Sequence, residues 1–246
     1  MPAEIEPVLL TCVRIETMKD DQKLTNASGF FFEREGRLYV VTSQHVVTDL
    51  PSGHAPDSLG LVVHSDPNNL AATTIVRMPL IEDGTTRWHA LSDAGGSVDV
   101  AVVPIDRSLM PSDAHFKAFN MEHLCSSPDE AEVGDPTIIV GFPLGFHDAL
   151  HALPVARSSM IASSFGFRFQ GQGYFLTDGR LHRGASGSPV LKRNDAASGP
   201  GHAIPWKLLG VHSARLDVGD RDLSSDEALG LNVAWYADVV EKLTTA

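Results

Sequence analysis

Three polar residues stand in surroundings that suit nucleophilic chemistry: His45, Asp99 and Ser186. His45 comes directly after an apolar stretch, Asp99 is the acid in a run of small and apolar residues, and Ser186 lies in a glycine-rich turn. A serine hydroxyl is a weak nucleophile until a base removes its proton, and imidazole is such a base near neutral pH. A carboxylate is costly to bury unless it is paired, and the imidazole N–H is a fitting partner. The pattern therefore predicts Ser186 as nucleophile, His45 as general base and Asp99 as the acid that orients His45.

The glycines around Ser186 predict an oxyanion-binding turn. Gly184 and Gly187 allow the backbone to turn sharply and to aim successive N–H groups inward. The N–H groups of Gly184 and Ser186 are then the expected donors to a tetrahedral oxyanion. Each feature also has a simpler interpretation. Ser186 could belong to a Gly-Ser-Pro turn before a strand, His45 is one of 11 histidines, and Asp99 could be a charge on an edge strand. The three features together, in one chain order, favour the catalytic interpretation.

Short segments rich in β-branched and aromatic residues recur along the chain, separated by turn signals, and must position these residues. They fall into two sets of six, which predicts an all-β protein with a double antiparallel six-stranded β-barrel. Apolar residues at helical spacing near the end of the chain predict a short C-terminal helix. The predicted strands are 8–15, 29–33, 37–43, 59–64, 73–80 and 98–105, then 137–142, 153–162, 173–177, 188–191, 206–213 and 229–235, and the helix is 236–243.

The two sets of strands predict the domain organisation. We expect an N-terminal barrel at 1–115 that carries the predicted base and acid. A polar, irregular connector at 116–134 follows it. The C-terminal barrel at 135–246 then carries the predicted nucleophile and the terminal helix.

Composition and charge exclude several classes of partner. The 246 residues include 19 Lys and Arg against 31 Asp and Glu, a formal charge of −12, and an acidic chain without a basic cluster does not suit nucleic acid. No apolar run approaches the roughly 20 residues that span a bilayer, so we expect no membrane partner. Cys12 and Cys125 are predicted to be reduced thiols, and the acidic start of the chain does not resemble a secretory signal. These features favour the cytoplasm, and we expect neither a cofactor nor a metal.

The chain order His, Asp, Ser and the segments around these residues resemble the trypsin-like serine proteases. The similarity is to the bacterial-type branch, which includes the glutamyl endopeptidases and the protease domains of the HtrA/Deg family. It covers nearly the whole chain and implies a double β-barrel, a cleft between the barrels, and hydrolysis of a polypeptide substrate through an acyl-enzyme. The segments that carry it are Thr42-Ser43-Gln44-His45-Val46-Val47, Asp99-Val100-Ala101-Val102-Val103, Val140-Gly141-Phe142-Pro143-Leu144-Gly145, Gly184-Ala185-Ser186-Gly187-Ser188-Pro189-Val190 and Leu231-Asn232-Val233-Ala234-Trp235.

Two departures from these relatives lead to expectations of their own. Ala185 stands where the zymogen-activated relatives carry an aspartate that pairs with a newly cut N-terminus, so we expect no activation by N-terminal cleavage. The HtrA/Deg proteins usually add peptide-binding PDZ domains, for which this sequence leaves no room. The resemblance therefore implies a stand-alone protease domain.

The resemblance also implies a substrate pocket. In glutamyl endopeptidases a histidine directly before the pocket serine binds an acidic P1 side chain, and His212 occupies that place. Positive charge nearby favours a carboxylate in a partly desolvated pocket, which implies a preference for acidic P1 residues. Arg180 stands where relatives that cut after Lys or Arg carry an acid, which argues against that cleavage. Alternatively, His212 is a packed strand residue and the arginines are solvated. The implied pocket residues are Arg180, His212, Ser213 and Arg215.

The sequence leaves two other functions to consider beside the protease. A latent or catalytically silent domain of this type would bind peptides or proteins, or would need an activating partner or assembly to order the Ser186 loop. An esterase of the α/β-hydrolase type is disfavoured, because the segment reads Gly-Ala-Ser-Gly-Ser rather than Gly-x-Ser-x-Gly. The strands of such an esterase would also alternate with helices, which this sequence does not predict.

Overall fold

A computed structural model describes residues 5–125, 127–197, 204–216 and 229–245. Within these ranges the chain is mostly β-strand, and no helix is long and apolar enough to cross a membrane. The strands are β1 (Cys12–Lys19), β2 (Gln22–Arg34), β3 (Arg37–Thr42), β4 (Ser58–His64), β5 (Thr73–Pro79), β6 (Ile81–Glu82), β7 (Thr85–Thr86), β8 (Ser92–Asp93), β9 (Gly96–Ser97), β10 (Ala101–Pro104), β11 (Pro136–Gly141), β12 (Val155–Met160), β13 (Tyr174–Thr177), β14 (Pro189–Arg193), β15 (Trp206–Arg215) and β16 (Asn232–Tyr236), and the helices are α1 (Gln44–Val47) and α2 (Asp238–Leu243).

The first barrel is built from six antiparallel strands in the order β10-β3-β2-β1-β4-β5. The turn between β2 and β3 places Glu35 and Gly36 in the left-handed conformation, with φ of 50° and 77°. Two consecutive residues of this kind match the right-handed twist of the flanking strands. Beyond β5 the chain returns to the other edge of the sheet, where His89 pairs with Val102 of β10. This bridge draws the two edges together.

The second barrel uses the strands after residue 135, in the order β12-β11-β14-β15-β16-β13. Ile161, directly after β12, pairs with Thr177 of β13 and so joins the two edges of this sheet. Helix α2 follows β16 and buries Val239, Val240 and Leu243. The predicted double β-barrel with a short C-terminal helix is confirmed.

Three clusters of buried apolar side chains stabilise this arrangement. One cluster fills the first barrel and includes Ile15 and Leu59, and a smaller one in the second barrel includes Phe175. The largest cluster belongs to both barrels, since side chains of β2, β3 and β10 pack in it with those of β11, β15, β16 and α2. Phe30 and Phe119 meet there edge to face, with ring centroids 5.7 Å apart. This shared cluster fixes how the ends of β3 and β14 face each other.

The first two predicted strands differ from the structure at their starts. Residues Pro7–Thr11 form a 3₁₀ turn, because proline suits a first helical position, where an N–H would have no partner. Thr11 Oγ1 donates to Val8 O at 2.7 Å within this turn, and β1 begins only at Cys12. β2 begins well before residue 29, because its first residues pair with β1 as an exposed polar hairpin that has no hydrophobic signature.

The last predicted elements also shift. Tyr236 still pairs with Gly210 of β15, so the strand continues and helix α2 begins at Asp238 instead of 236. The strand predicted at 98–105 begins at Ala101, and the residues before it form an irregular segment. Both cysteines are free thiols, as expected.

Candidate functional site

His45 lies at the end of a rigid strand. β3 ends at Thr42, and the one-turn helix α1 directly after it carries His45. The backbone N–H of His45 donates to Asp99 Oδ1 at 2.8 Å, and its Nδ1 lies 2.7 Å from Asp99 Oδ2. Because a carboxylate only accepts hydrogen bonds, Nδ1 carries the proton and Nε2 keeps its lone pair. The side chain is 40% exposed, so this basic nitrogen is within reach of a reactant.

Asp99 is anchored from both barrels. It lies between Val98 and Val100, which are fully buried. Ser213 Oγ, from β15 of the second barrel, donates to Asp99 Oδ2 at 2.5 Å. With the two bonds from His45, Asp99 thus accepts three hydrogen bonds, which compensate for its partial removal from water. The Ser213 hydroxyl, implied by resemblance to be part of the substrate pocket, lies against Asp99.

The pKa of His45 results from opposing effects. Burial lowers this pKa, but the hydrogen bond and the negative charge of Asp99 raise it, and the charge of Asp49 adds to them. The pKa of His45 therefore lies above its ordinary value of 6.5. Asp99 thus makes the imidazole a stronger base and orients it as well.

The loop between β13 and β14 gives Ser186 a distinctive backbone. Gly184 and Gly187 have φ of 87° and 86°, a backbone region that is strained for residues other than glycine. The N–H groups of Ala185, Gly187 and Ser188 donate to backbone carbonyls. Among the residues that the structure describes, the N–H groups of Gly184 and Ser186 have no acceptor. The loop therefore presents two unbonded donors, one on each side of Ala185.

The peptide group before Gly184 is held in one orientation. Leu144 N–H, just beyond β11, donates to Arg183 O at 2.6 Å. In a trans peptide the N–H points opposite to the carbonyl, so the Gly184 N–H is directed away from Leu144. The contact thus fixes the direction of this unbonded donor.

The Ser186 loop touches the end of β3, which leads to His45. His212 O accepts both from Gly187 N–H at 2.8 Å and from Ser43 Oγ at 3.3 Å. A Cβ on Gly187 would come within 2.8 Å of the Thr42 Cα atom, so the two backbones are in close contact. Within the described part of the chain, no hydrogen bond joins Ser186 Oγ to the imidazole, as is common in apo active sites.

The residues implied to form the pocket are divided between two environments. His212 is 2% exposed, and its Nδ1 has no hydrogen-bond partner among the described residues. The pKa of His212 is lowered to about 3, chiefly by burial and also by the nearby His45, while the charge of Asp99 opposes the change. His212 is therefore a neutral imidazole at physiological pH. Arg180 and Arg215, by contrast, are exposed.

Ser28 is a member of this site that the sequence did not indicate. It lies in an otherwise apolar part of β2, is fully buried, and bonds to both Gly184 O and Ser186 O. The only signal was a polar residue inside the run Ala27-Ser28-Gly29-Phe30. Within the described ranges, no three His, Cys, Asp or Glu side chains come together as metal ligands would.

Comparisons with known proteins agree with this geometry. A family model described as "Trypsin-like peptidase domain" matches residues 27–199, well over half of the chain. The structure is similar to the HtrA-type protease AlgW, a serine-to-alanine variant with a tripeptide, at 16% identity and a TM-score of 0.57 over 97% of this chain and 60% of that one. It is similar to the serine endoprotease from Yersinia pestis at 15% identity and a TM-score of 0.56, over 99% of this chain and 66% of that one.

A third similar structure is Rv3671c from M. tuberculosis H37Rv, a serine-to-alanine mutant in an inactive form. It matches at 15% identity and a TM-score of 0.53, over 97% of this chain and 89% of that one. The chain thus spans less than two thirds of the first two of these proteins. No curated protein sequence gives a significant match. The family model and the common fold together lead to one conclusion: the chain belongs to the trypsin-like peptidase domain family.

Proposed function

We propose that the chain is a serine endopeptidase in which Ser186, His45 and Asp99 form the catalytic triad. The observation that carries this proposal is the double hydrogen bond between His45 and Asp99, which leaves Nε2 as a free base directly after the strand end that packs against the Ser186 loop. The two unbonded N–H groups of Gly184 and Ser186 support it further, since such donors suit an oxyanion. Membership of the family supports polypeptides as substrates.

The proposed reaction proceeds in two halves. Ser186 Oγ attacks the carbonyl carbon of the scissile peptide bond while its proton moves to His45 Nε2. The carbonyl oxygen becomes an oxyanion that accepts hydrogen bonds from Gly184 and Ser186 N–H. His45 then gives the proton to the leaving nitrogen, the C–N bond breaks, and an acyl-enzyme remains. In the second half, water attacks the acyl carbon while one of its protons moves to His45 Nε2. The bond to Ser186 Oγ then breaks, His45 returns the proton to Oγ, and the carboxylic acid product leaves.

Asp99 and Ser213 have distinct parts in this proposal. Asp99 fixes the tautomer of His45 and stabilises the imidazolium that forms in each half-reaction. Ser213 donates to the Asp99 oxygen that also faces Nδ1, so it restrains the carboxylate without touching the reacting atoms. We therefore propose Ser213 as a positioning residue rather than as a donor to the substrate side chain.

Labelling with a fluorescent fluorophosphonate tests the triad, because this reagent reacts with an activated serine. We expect the wild-type protein to be labelled, and Ser186→Ala and His45→Ala to be unlabelled. The same variants should lower kcat for a peptide substrate by about 10⁴–10⁶-fold with the fold intact. Full proteolysis by Ser186→Ala would contradict the assignment of the nucleophile.

A second candidate is a latent or silent domain that binds peptides or proteins and awaits an activating partner. The observation in its favour is that no hydrogen bond joins Ser186 Oγ to His45 within the described residues. A folded wild-type protein that fluorophosphonate does not label would favour this candidate. Labelling restored by an added partner or peptide would identify the latent form.

We further propose a preference for acidic P1 residues. His212 offers a buried ring nitrogen without a partner among the described residues, and Arg180 and Arg215 supply positive charge. A neutral histidine can donate a hydrogen bond to a carboxylate, and the arginines can neutralise its charge. Profiling with a peptide library should then find Glu or Asp at P1.

The arginines give this preference a matched control. Arg215→Ala should lower kcat/KM for a glutamate-P1 peptide and leave an alanine-P1 peptide unchanged. Arg107→Ala, which removes an exposed arginine paired with Glu33 on the first barrel, should change neither. An identical P1 profile for all three proteins would refute the proposed pocket.

The domain boundaries and the compartment are also proposals. The first six-stranded sheet ends at Pro104 and the second begins at Pro136, which supports a connector at 116–134 between barrels at 1–115 and 135–246. A cytoplasmic location is supported by two free cysteine thiols, since thiols stay reduced in that compartment.

A further inference from the structure

Ser28, on β2 of the first barrel, is bonded to the backbone on both sides of the proposed nucleophile. Its Oγ donates to Gly184 O at 2.7 Å, and its N–H donates to Ser186 O at 3.0 Å. The same Oγ accepts from Phe142 N–H at 2.8 Å. Ser28 O in turn accepts from Thr42 Oγ1 at 2.8 Å. One fully buried residue therefore joins the Ser186 loop, the end of β11 and the end of β3.

We propose that Ser28 is a positioning residue that keeps the N–H groups of Gly184 and Ser186 directed at the substrate. This inference rests on the proposed protease function. The carbonyl of Gly184 belongs to the peptide group directly after the first donor, so its bond to Ser28 Oγ limits rotation of that peptide. The bond from Ser28 N–H to Ser186 O limits rotation of the peptide after the second donor.

The hydroxyl of Ser28 serves the loop rather than its own sheet. β2 is held in the first barrel by backbone pairing, in which Ser28 lies opposite Arg14 of β1. Both partners of the Ser28 Oγ atom, Gly184 O and Phe142 N–H, belong to the part of the chain that contains the second barrel. Loss of the hydroxyl therefore removes two bonds between the barrels and leaves the backbone pairing of β2 in place.

Close packing adds to the constraint. A Cβ on Gly187 would meet both Ser28 O and the Thr42 backbone. The Gly141 backbone is also close, since a Cβ there would come within 2.6 Å of the Ser28 Oγ atom and 3.2 Å of the Ser28 Cβ atom. The loop thus has little space in which to rearrange while Ser28 keeps its bonds.

The kinetic test uses Ser28→Ala. We expect kcat for a peptide substrate to fall by about 10–100-fold with KM nearly unchanged, because the lost alignment affects the oxyanion and not substrate binding. Ser58→Ala is the matched control. Ser58 is also buried, and its Oγ also makes two side-chain bonds, to Asp57 and Arg77, at the start of β4. This control should keep the wild-type kcat and KM.

Hydrogen exchange supplies a readout that does not need activity. In Ser28→Ala the hydrogen-bonded amides of Ala185, Gly187 and Ser188 should exchange about tenfold faster than in the wild type, and in Ser58→Ala at the wild-type rate. Wild-type exchange in Ser28→Ala, or a raised KM with unchanged kcat, would overturn the inference. A wild-type protein without fluorophosphonate labelling would refute the protease proposal alone, since the exchange rates still decide whether Ser28 fixes the loop.

A second variant covers failure of Ser28→Ala to fold. Ser28→Cys keeps a side chain with a weak donor at this position. Because a thiol forms weaker hydrogen bonds than a hydroxyl, Ser28→Cys should have a lower kcat than the wild type. Its loop amides should also exchange faster than those of the wild type. A Ser28→Cys protein with wild-type kcat and wild-type exchange would again argue against a role for the hydroxyl bonds.

Discussion

His45 shows how one neighbouring residue sets both the geometry and the basicity of an imidazole. Burial alone would lower its pKa, yet the side-chain hydrogen bond to Asp99 and the charges of Asp99 and Asp49 raise it above 6.5. The proposed base must be unprotonated, and the unprotonated fraction grows as pH rises through the pKa. The raised pKa therefore predicts an activity that needs a higher pH than a free imidazole would require.

The pH profile of kcat/KM checks this prediction. In the wild type we expect the acidic limb to reach half of its maximum above pH 6.5. Asp99→Asn removes the charge and permits the wrong tautomer, so kcat should fall by about 10⁴-fold. The half-point should also move to lower pH, because burial then lowers the pKa of His45 with only the charge of Asp49 left to oppose it. An unchanged half-point in Asp99→Asn would show that Asp99 does not raise this pKa.

His212 predicts a pH dependence of stability with a definite sign. Its pKa is about 3 in the native state against an ordinary 6.5, so the unfolded chain binds a proton that the native protein excludes between these values. The free energy of unfolding should therefore fall as pH is lowered through this window. In His212→Gln the free energy of unfolding should fall less over the same pH window. Its slope against pH should differ from the wild-type slope by up to about 1.4 kcal/mol per pH unit.

Chemical denaturation at several pH values between 4 and 7 measures this difference. His45 shifts in the opposite direction, because its raised pKa stabilises the native state at low pH and loses that effect as pH rises. It is present in both proteins, so the comparison isolates His212. Parallel curves for the two proteins would contradict the buried, neutral state of this ring.

At the scale of elements, the Ser186 loop and the end of β3 form one tightly packed unit. Gly187 needs glycine for two reasons: its φ of 86°, and the Ser28 and Thr42 backbone atoms that a Cβ would meet. Gly36 shares only the first reason. Its φ is 77°, and no atom of the described residues lies within 4 Å of a Cβ built there. The two positions therefore separate conformational strain from crowding.

Alanine at these two positions tests the close contact. Both Gly187→Ala and Gly36→Ala should lose about 1–2 kcal/mol to the left-handed conformation. Gly187→Ala should lose a further 1–3 kcal/mol or so to overpacking, and fluorophosphonate labelling of Ser186 should slow by about 10²-fold, as expected for a misplaced nucleophile. Urea denaturation and labelling rates measure both effects. Equal losses in the two variants would exclude crowding at Gly187.

At the scale of the whole molecule, the largest apolar cluster belongs to both barrels. Phe119, between β10 and β11 along the chain, pairs with Phe32 of β2 as an extra parallel bridge and packs its ring on Phe30. Because each barrel loses part of its core when the other unfolds, we expect the barrels to unfold in one cooperative transition. Tryptophan fluorescence from Trp88 in the first barrel and from Trp235 in the second should report the same midpoint.

Phe119→Ala tests this cooperativity. The ring is fully buried, so its loss should lower the free energy of unfolding by about 3–5 kcal/mol. Phe167→Ala is the control, because that side chain is 76% exposed and its removal should change stability by no more than about 0.5 kcal/mol. The midpoints reported by Trp88 and Trp235 should fall together in Phe119→Ala. Two separate transitions would show that the barrels are independent.

Much of the fold was accessible from local sequence patterns. Alternating and β-branched segments identified the core strands, since a strand that buries one face must repeat its apolar residues. The same reasoning missed the first part of β2, whose exposed residues carry no such signal, and the turn that Pro7 begins. It also overlooked Tyr236 as a strand residue, because its pairing partner Gly210 is distant in sequence.

By itself, the sequence determined which residues could form a nucleophilic site: Ser186 in a turn with Gly184 and Gly187, His45 after an apolar strand, and Asp99 among apolar residues. These are local properties, set by residue type and immediate neighbours. Only the tertiary structure decided that Ser213, 114 residues from Asp99, restrains that carboxylate, and that Ser28 bonds to Gly184 across 156 residues. It also decided that His212 is buried without a partner among the described residues. Hydrogen bonds and burial of this kind arise when the two barrels pack together, so no pattern along the chain encodes them visibly.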